Sequence, residues 1–314
     1  MPLHSHTHGH THAAPHRRST NSGATMSRAF AIGIALNLAF VVIEAGFGWW
    51  AASLALLADA SHNFGDVIGL ALAWGAATLA TRRPSQRYTY GLGSSTILAA
   101  LANAMLLSIA VGGIVWASIQ RLIEPAPVND LVVIWVAAAG IVVNTGTALL
   151  FMSGGKNDLN VRGAFLHMAA DAAVSAGVVL AGLAMRYTGM NWIDPATSIV
   201  IALVIFGATW GLLRESTRLA LAAVPAGIDE AAIRDYLCAL PGVSDVHDLH
   251  IWAMSTSENA LTAHLVMPLG HPGDVFLADA AHRIEHDFRV GHVTLQIETA
   301  GVSAPCKLES SHAV

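Results

Sequence analysis

Two short stretches of the chain repeat one chemistry. "HNFGD" places His62 four residues before Asp66, and "HMAAD" places His167 four residues before Asp171, each inside a long apolar run. Residues four apart on a helix share a face about one turn, roughly 6 Å, apart. An aspartate at bilayer depth costs roughly 2.5–3.5 kcal/mol to insert, so each pair needs something to offset its charge. Two imidazoles and two carboxylates together make a two-nitrogen, two-oxygen donor set. That set suits tetrahedral zinc, and also cobalt or cadmium. Calcium or magnesium would take oxygen ligands only. The plainer account is a pair of buried His–Asp hydrogen bonds that lock helices together. Repetition of the motif in a second span favours coordination over a purely structural role.

The elements that carry these residues follow from composition and patterning. The chain has 314 residues, 54% hydrophobic and 12% charged, against roughly 25% charged in soluble domains. With a mean hydropathy of +0.55, it reads as a bilayer protein with a polar appendage. The net charge of −5 and the lack of a basic block give no nucleic-acid footprint. Cys238 and Cys306 form neither a disulfide framework nor a CxxC site. Six apolar segments run over about 29–50, 52–80, 95–120, 130–152, 163–186 and 194–213. Each is near the 20 or so helical residues that span a hydrocarbon core. The first two are joined by "GWWAAS", a tight turn whose tryptophans suit the membrane interface.

Basic residues set the orientation. Arg17, Arg18, Arg28, Arg82, Arg83, Arg87, Lys156, Arg162, Arg214 and Arg218 fall on one side; only Arg121 and Arg186, at helix ends, fall on the other. The positive-inside rule then puts both termini in the cytoplasm. Helix two runs inward and helix five outward, so the two His–Asp pairs can meet at comparable depth.

Beyond about residue 220 the pattern changes. "PAGIDEAAIRDYLCALPGV" has amphipathic helical spacing, and "VSDVHDLHIWAM" and "ALTAHLVM" alternate like strands. "VFLADAAHRIEHDF" is helical and "HVTLQIET" strand-like. The order α-β-β-α-β predicts a ferredoxin-like α+β domain with helices on one face of a sheet. The expected organisation is a His-rich disordered tail at 1–27 and a six-helix transmembrane domain at 28–220. A cytoplasmic ferredoxin-like domain at 221–300 and a disordered tail at 301–314 follow.

Further polar residues lie in or beside the spans. Asn37 and Glu44 share a face of helix one, Asp59 precedes His62 toward the outer end, and Asn144 lies in helix four. Hydrogen bonding between helices accounts for such residues in general, and Asn144 fits it as well as any functional role. Glu44 and Asp59 are expected to line a hydrated path to the outside. In the N-terminal tail, His4, His6, His8, His10, His12 and His16 alternate with Ser, Thr and Gly rather than forming an unbroken tag. This pattern reads as a loose metal-collecting segment. The soluble domain offers His247, His250, His264, His271, His282, His286, His292 and Glu298. Strict strand alternation would point His247 and Leu249 to one face and Asp248 and His250 to the other. His282 and His286 fit either a bidentate helical pair or an exposed surface.

"SLALLADASHNFGD", "DLNVRGAFLHMAADAAVS" and "VHDLHIWAM", in that order, resemble the cation diffusion facilitators, membrane transporters that exchange zinc and related divalent ions for protons. The resemblance covers about residues 28–300. It implies that His62, Asp66, His167 and Asp171 form the transport site, in the arrangement associated with zinc rather than manganese. It also implies a homodimer, six transmembrane helices and a cytoplasmic ferredoxin-like domain with His247, His264 and Glu298 near metal sites. Gln296 stands where relatives often carry histidine, which argues against a full two-metal cluster. After "YTYG", where many relatives carry a basic residue and a glutamate, this chain has Ser94, Ser95 and Thr96. Any charge-pair role there is absent.

The expected function is proton-coupled zinc efflux by alternating access, in a bacterial inner membrane, with zinc as cargo and protons as counter-ion. An intramembrane metalloenzyme would keep a coordination position open for water, whereas four protein ligands close this shell. A membrane-anchored metal sensor would not need paired ligands inside the bilayer.

Overall fold

The computed structural model describes the backbone of residues 20–152 and 159–299, and the side chains of 35–149 and 165–299. The tail histidines His4, His6, His8, His10, His12 and His16 lie outside the described residues.

Six long helices come first: α1 (Thr20–Trp50), α2 (Leu54–Ala80), α3 (Ser95–Ile123), α4 (Asp130–Met152), α5 (Leu159–Thr188) and α6 (Ile193–Ala220). Five are long and apolar enough to cross a bilayer over their described residues, and α1 adds the apolar stretch Ala35–Trp50. The α1 helix starts at Thr20, before the expected end of the tail at residue 27. Nothing between Thr20 and Ser27 is a proline, so helical hydrogen bonding can run back past the apolar segment. Helix α6 likewise runs past its apolar stretch through Arg214 and Arg218 to Ala220. Helix α4 packs along α5, α3 along α6, and α2 between α1 and α3, with α1 also against α4. The helices close over a core of small and branched side chains, including Leu56, Ala58, Val133, Ala137, Val178 and Ala202.

Two glycines permit close approach. A Cβ at Gly65, inside "HNFGD", would lie 2.1 Å from Leu107 Cδ2, so glycine lets α2 sit directly on α3. A Cβ at Gly93 would lie 3.0 Å from the Met254 carbonyl oxygen. There the transmembrane unit meets the C-terminal domain.

That domain comprises α7 (Glu230–Cys238), β1 (Asp245–Ala253), β2 (Asn259–Val266), α8 (Asp274–Phe288) and β3 (His292–Glu298). The order α-β-β-α-β agrees with the sequence pattern. Strand β1 pairs antiparallel with β2, and β2 pairs parallel with β3 across the α8 crossover. Ile233, Leu237 and Ile284 of the helices pack on Val246, Ile251, Leu261, Ala263 and Leu265 of the sheet. The opposite sheet face stays free for polar residues. Simple alternation fails in β1. A bulge lies between His247 and His250, and Asp248 adopts a left-handed φ of 50°. Asp248 therefore leaves the face that alternation assigns to it.

Ser94 and Thr96 have a clear place. Ser94 Oγ donates to the Met254 carbonyl at 3.2 Å, and the Thr256 N–H donates to Thr96 Oγ1 at 3.0 Å. Tyr90 meets the His292 ring edge-on at 5.4 Å. The start of α3 is thus pinned to the β1–β2 turn by neutral hydrogen bonds, at the stretch where a charge-pair role was expected to be absent.

Candidate metal sites

Helices α2 and α5 bring His62, Asp66, His167 and Asp171 into one ring. His62 Nε2 lies 3.7 Å from Asp66 Oδ2 and 3.5 Å from Asp171 Oδ1. His167 Nε2 lies 3.1 Å from Asp66 Oδ2 and 3.7 Å from Asp171 Oδ2. Ligand atoms about 2.0–2.1 Å from a tetrahedral zinc stand about 3.3–3.4 Å apart; the four His–Asp edges come near that spacing, with Asp171 presenting a different oxygen to each imidazole. Asp66 Oδ2 and Asp171 Oδ2 are buried and make no hydrogen bond. Each carboxylate lies between both imidazoles, and the closest approach, His167 Nε2 to Asp66 Oδ2 at 3.1 Å, is within hydrogen-bond reach. A simple pair of i, i+4 His–Asp contacts would leave the two helices unconnected; here each imidazole also reaches the carboxylate of the other helix. Exposure is lopsided: His167 is 43% and Asp66 29% exposed, against 19% for His62 and 2% for Asp171.

Glu44 and Asp59 are both fully buried, farther along α1 and α2 from the C-terminal domain. Ser175 donates to Asp59 Oδ2 at 3.0 Å, and the Asn63 amide lies 3.5 Å from Asp59 Oδ1. Glu44 faces Asp59 and Asn63. Asn144 is also fully buried, with both amide atoms unpaired. Asn37 Oδ1 is buried and unpaired too. Neither Asn37 nor Asn144 contributes to the His–Asp ring.

Sequence reading missed Asp194. It is fully buried at the start of α6 and accepts from Ser53 Oγ at 2.5 Å and from the Leu54 and Ala55 N–H groups at 2.7 and 3.4 Å. Those N–H groups open α2, the helix that carries His62 and Asp66. The available signal was Ser53, a typical N-cap residue; no spacing rule links it to a partner 141 residues away.

In the C-terminal domain His247, His264 and Glu298 converge, with a ligand atom from each lying within 4.8 Å of the others. The strand register explains this. His247 pairs directly opposite His264, and Glu298 sits diagonally across on β3, on the same sheet face. Glu298 Oε1 lies 2.9 Å from His264 Nδ1 and 3.4 Å from His247 Nε2. His247 is 6% exposed, and neither of its ring nitrogens has a hydrogen-bond partner. Two imidazoles and a carboxylate around an unsatisfied buried ring fit a transition-metal ion. Gln296, the partner of His264 in the β2–β3 register, is exposed. His282 and His286 stack on α8 at 6.4 Å, outside this cluster.

A bundle of membrane-spanning helices with an internal nitrogen–oxygen site, joined to a cytoplasmic α+β domain, defines a polytopic metal-cation transport protein. Residues 30–219 match the cation efflux transmembrane domain, and residues 225–300 match the cation efflux protein cytoplasmic domain. The metal cation efflux system protein CzcD of Cupriavidus metallidurans is 34% identical over 281 residues, 89% of this chain and 88% of that protein. The cadmium, cobalt and zinc/H(+)-K(+) antiporter of Bacillus subtilis is 33% identical over 284 residues, 89% of this chain and 91% of that one. Among solved structures, the metal-bound C-terminal domain of the C. metallidurans CzcD transporter is 33% identical with a TM-score of 0.21, covering 23% of this chain and 99% of its own. The chain belongs to the cation efflux family, the cation diffusion facilitators its motifs resemble, and is a divalent metal cation efflux transporter.

Proposed function

We propose that the protein exports zinc, and with it cadmium or cobalt, from the cytoplasm in exchange for protons by alternating access. The ring of His62, Asp66, His167 and Asp171 is the transport site. The observation that carries this reading is its four His–Asp edges of 3.1–3.7 Å, with buried carboxylate oxygens that make no hydrogen bond. Zinc needs neutral imidazoles and ionised carboxylates, so protons and metal compete for the same atoms. A site facing an acidic exterior takes protons and loses zinc; facing the cytoplasm it loses protons and binds again. The name of the B. subtilis relative supports counter-ion exchange.

Asp66 and His167 sit nearer the C-terminal domain than His62 and Asp171, and they are the more exposed pair. Together with the sealed Glu44 and Asp59, this supports a site open toward the cytoplasm. Glu44 and Asp59 belong to the outward path, with Asn37 and Asn144 beside it. The protein resides in a bacterial inner membrane with both termini cytoplasmic and works as a homodimer through the 221–300 domain. His247, His264 and Glu298 hold a regulatory metal there, and the tail histidines collect metal for it.

The test is zinc flux into proteoliposomes under an imposed pH gradient. Wild-type protein moves zinc down the proton-coupled gradient, while Asp66→Ala and Asp171→Ala stop transport in protein that still folds. Normal flux in either variant overturns the assignment.

A further inference from the structure

We infer that Asp248 is the positioning residue of the cytoplasmic metal site. Its carboxylate fixes the His264 ring so that Nδ1 is presented beside His247 and Glu298, and His250 anchors that carboxylate. The inference rests on the cytoplasmic site proposed above.

The β1 bulge is the starting observation. His247 pairs with His264 and His250 with Thr262, so β1 advances three residues while β2 advances two. The extra residue leaves Asp248 at φ 50°, in a left-handed conformation that side chains other than those of Asn and Asp seldom adopt. Regular alternation would turn Asp248 away from His247, toward the apolar side where Val246 and Leu265 pack. The bulge instead swings its carboxylate between two imidazoles. Asp248 Oδ2 lies 3.3 Å from His264 Nε2, and Oδ1 lies 2.8 Å from His250 Nε2. Asp248 and His264 are 12% and 13% exposed, whereas His250 is 45% exposed. Bulges that re-aim one side chain are characteristic of functional positions.

The consequence follows from imidazole chemistry. His264 stands between two carboxylates, with Nδ1 on Glu298 and Nε2 on Asp248. When a metal takes the Nδ1 lone pair, the one remaining ring proton must sit on Nε2. Asp248 Oδ2 accepts it there. A carboxylate that accepts from the distal nitrogen of a metal-bound histidine sets its tautomer, orients the ring and raises its basicity. His250 Nε2 donates to the other Asp248 oxygen and leaves the carboxylate one orientation. Without Asp248, His264 could turn or protonate its Nδ1, and either change removes a ligand.

The experiment is a Co2+ titration of the detergent-purified full-length protein carrying Asp66→Ala, read by visible absorption and competed with Zn2+. The part of the signal abolished by His247→Ala defines the cytoplasmic site. Asn keeps the size of Asp248 and tolerates its left-handed backbone, so Asp248→Asn is the informative variant. It should weaken this metal about 10–100-fold and shift the cobalt bands, with the metal-free melting temperature unchanged. His250→Ala, which leaves the bulge intact, should weaken it by a smaller factor. Wild-type affinity and spectrum in both variants overturn the positioning role, and if Asp248→Asn fails to fold, wild-type affinity in His250→Ala alone does so. A second cobalt ion, insensitive to His247→Ala but lost with Asp248→Asn, would make Asp248 a ligand and also overturn it. A different failure, no His247-dependent signal in the parent protein, would defeat the cytoplasmic site itself.

Discussion

The two carboxylates of the proposed transport site should not be equal. Asp171 is 2% exposed and Asp66 29%, although each lies within 3.7 Å of both imidazoles. Changing either to Asn removes one unit of charge and keeps the side-chain shape. At Asp171 water cannot enter to replace the lost oxygen, so the remaining groups stay desolvated and underpaired. Truncating one partner of a buried charge pair costs about 2–5 kcal/mol, which is about 30- to 4,000-fold in affinity. Asp66 Oδ2 is buried too, but the rest of the side chain is part-exposed, so a vacated position there lies closer to the surface than one at Asp171. Loss there should be substantial but smaller than at Asp171. The assay is calorimetric zinc titration against a competing chelator, on detergent-purified protein with His247→Ala to silence the cytoplasmic site. Equal losses, or a larger loss at Asp66, would refute the reasoning, because the asymmetry comes only from which side of the ring is sealed.

Two further outcomes depend on contacts outside the ring. Asp194→Ala orphans the buried Leu54 and Ala55 N–H groups at the start of α2, at about 1–3 kcal/mol each. Thermal unfolding in detergent should show a large loss, which Asp194→Asn, with one acceptor oxygen, recovers in part; unchanged melting in the Ala variant counts against a capping role. Replacing Ser94 and Thr96 together by Ala removes two hydrogen bonds between domains, worth about 1–3 kcal/mol in all. Limited proteolysis should then cut the Ala222–Ile228 connection faster than in wild type, and an unchanged cleavage rate would show that these contacts do not hold the domains together.

Much of the architecture was legible because it rests on local periodicity. The apolar segments mark the spans to within a turn or two, and the αββαβ order follows from alternation and helical spacing. The His62/Asp66 and His167/Asp171 pairs were legible because each is an i, i+4 motif in a place where charge is costly. What stayed hidden is what depends on contacts distant in sequence or on irregular backbone. Asp194 caps a helix that lies some 140 residues earlier in the chain, and Ser94 and Thr96 find their partners in another domain. Asp248 was misplaced because a one-residue bulge inverts the face that alternation assigns, and "VHDLHIW" has no glycine to signal it.

The hydrogen-bond pattern separates the buried carboxylates by role. Asp194 accepts from a hydroxyl and two N–H groups, and Asp248 from a histidine; these groups hold structure in place and have the bonds to do it. Asp66 and Asp171 sit at ion-pair distance from imidazoles, each with a buried oxygen left unbonded. A carboxylate that only braced two helices would relax into hydrogen-bond alignment, since an unsatisfied buried acceptor costs about 1–3 kcal/mol. In the proposed reading a cation supplies the missing interaction at both ring aspartates and at His247. Glu44 falls in neither group: it is fully buried and faces Asp59 and Asn63. On the outward path proposed above, this carboxyl meets the departing or incoming ion rather than the bound one. Its replacement by Gln should therefore alter transport while leaving zinc affinity at the ring as it is.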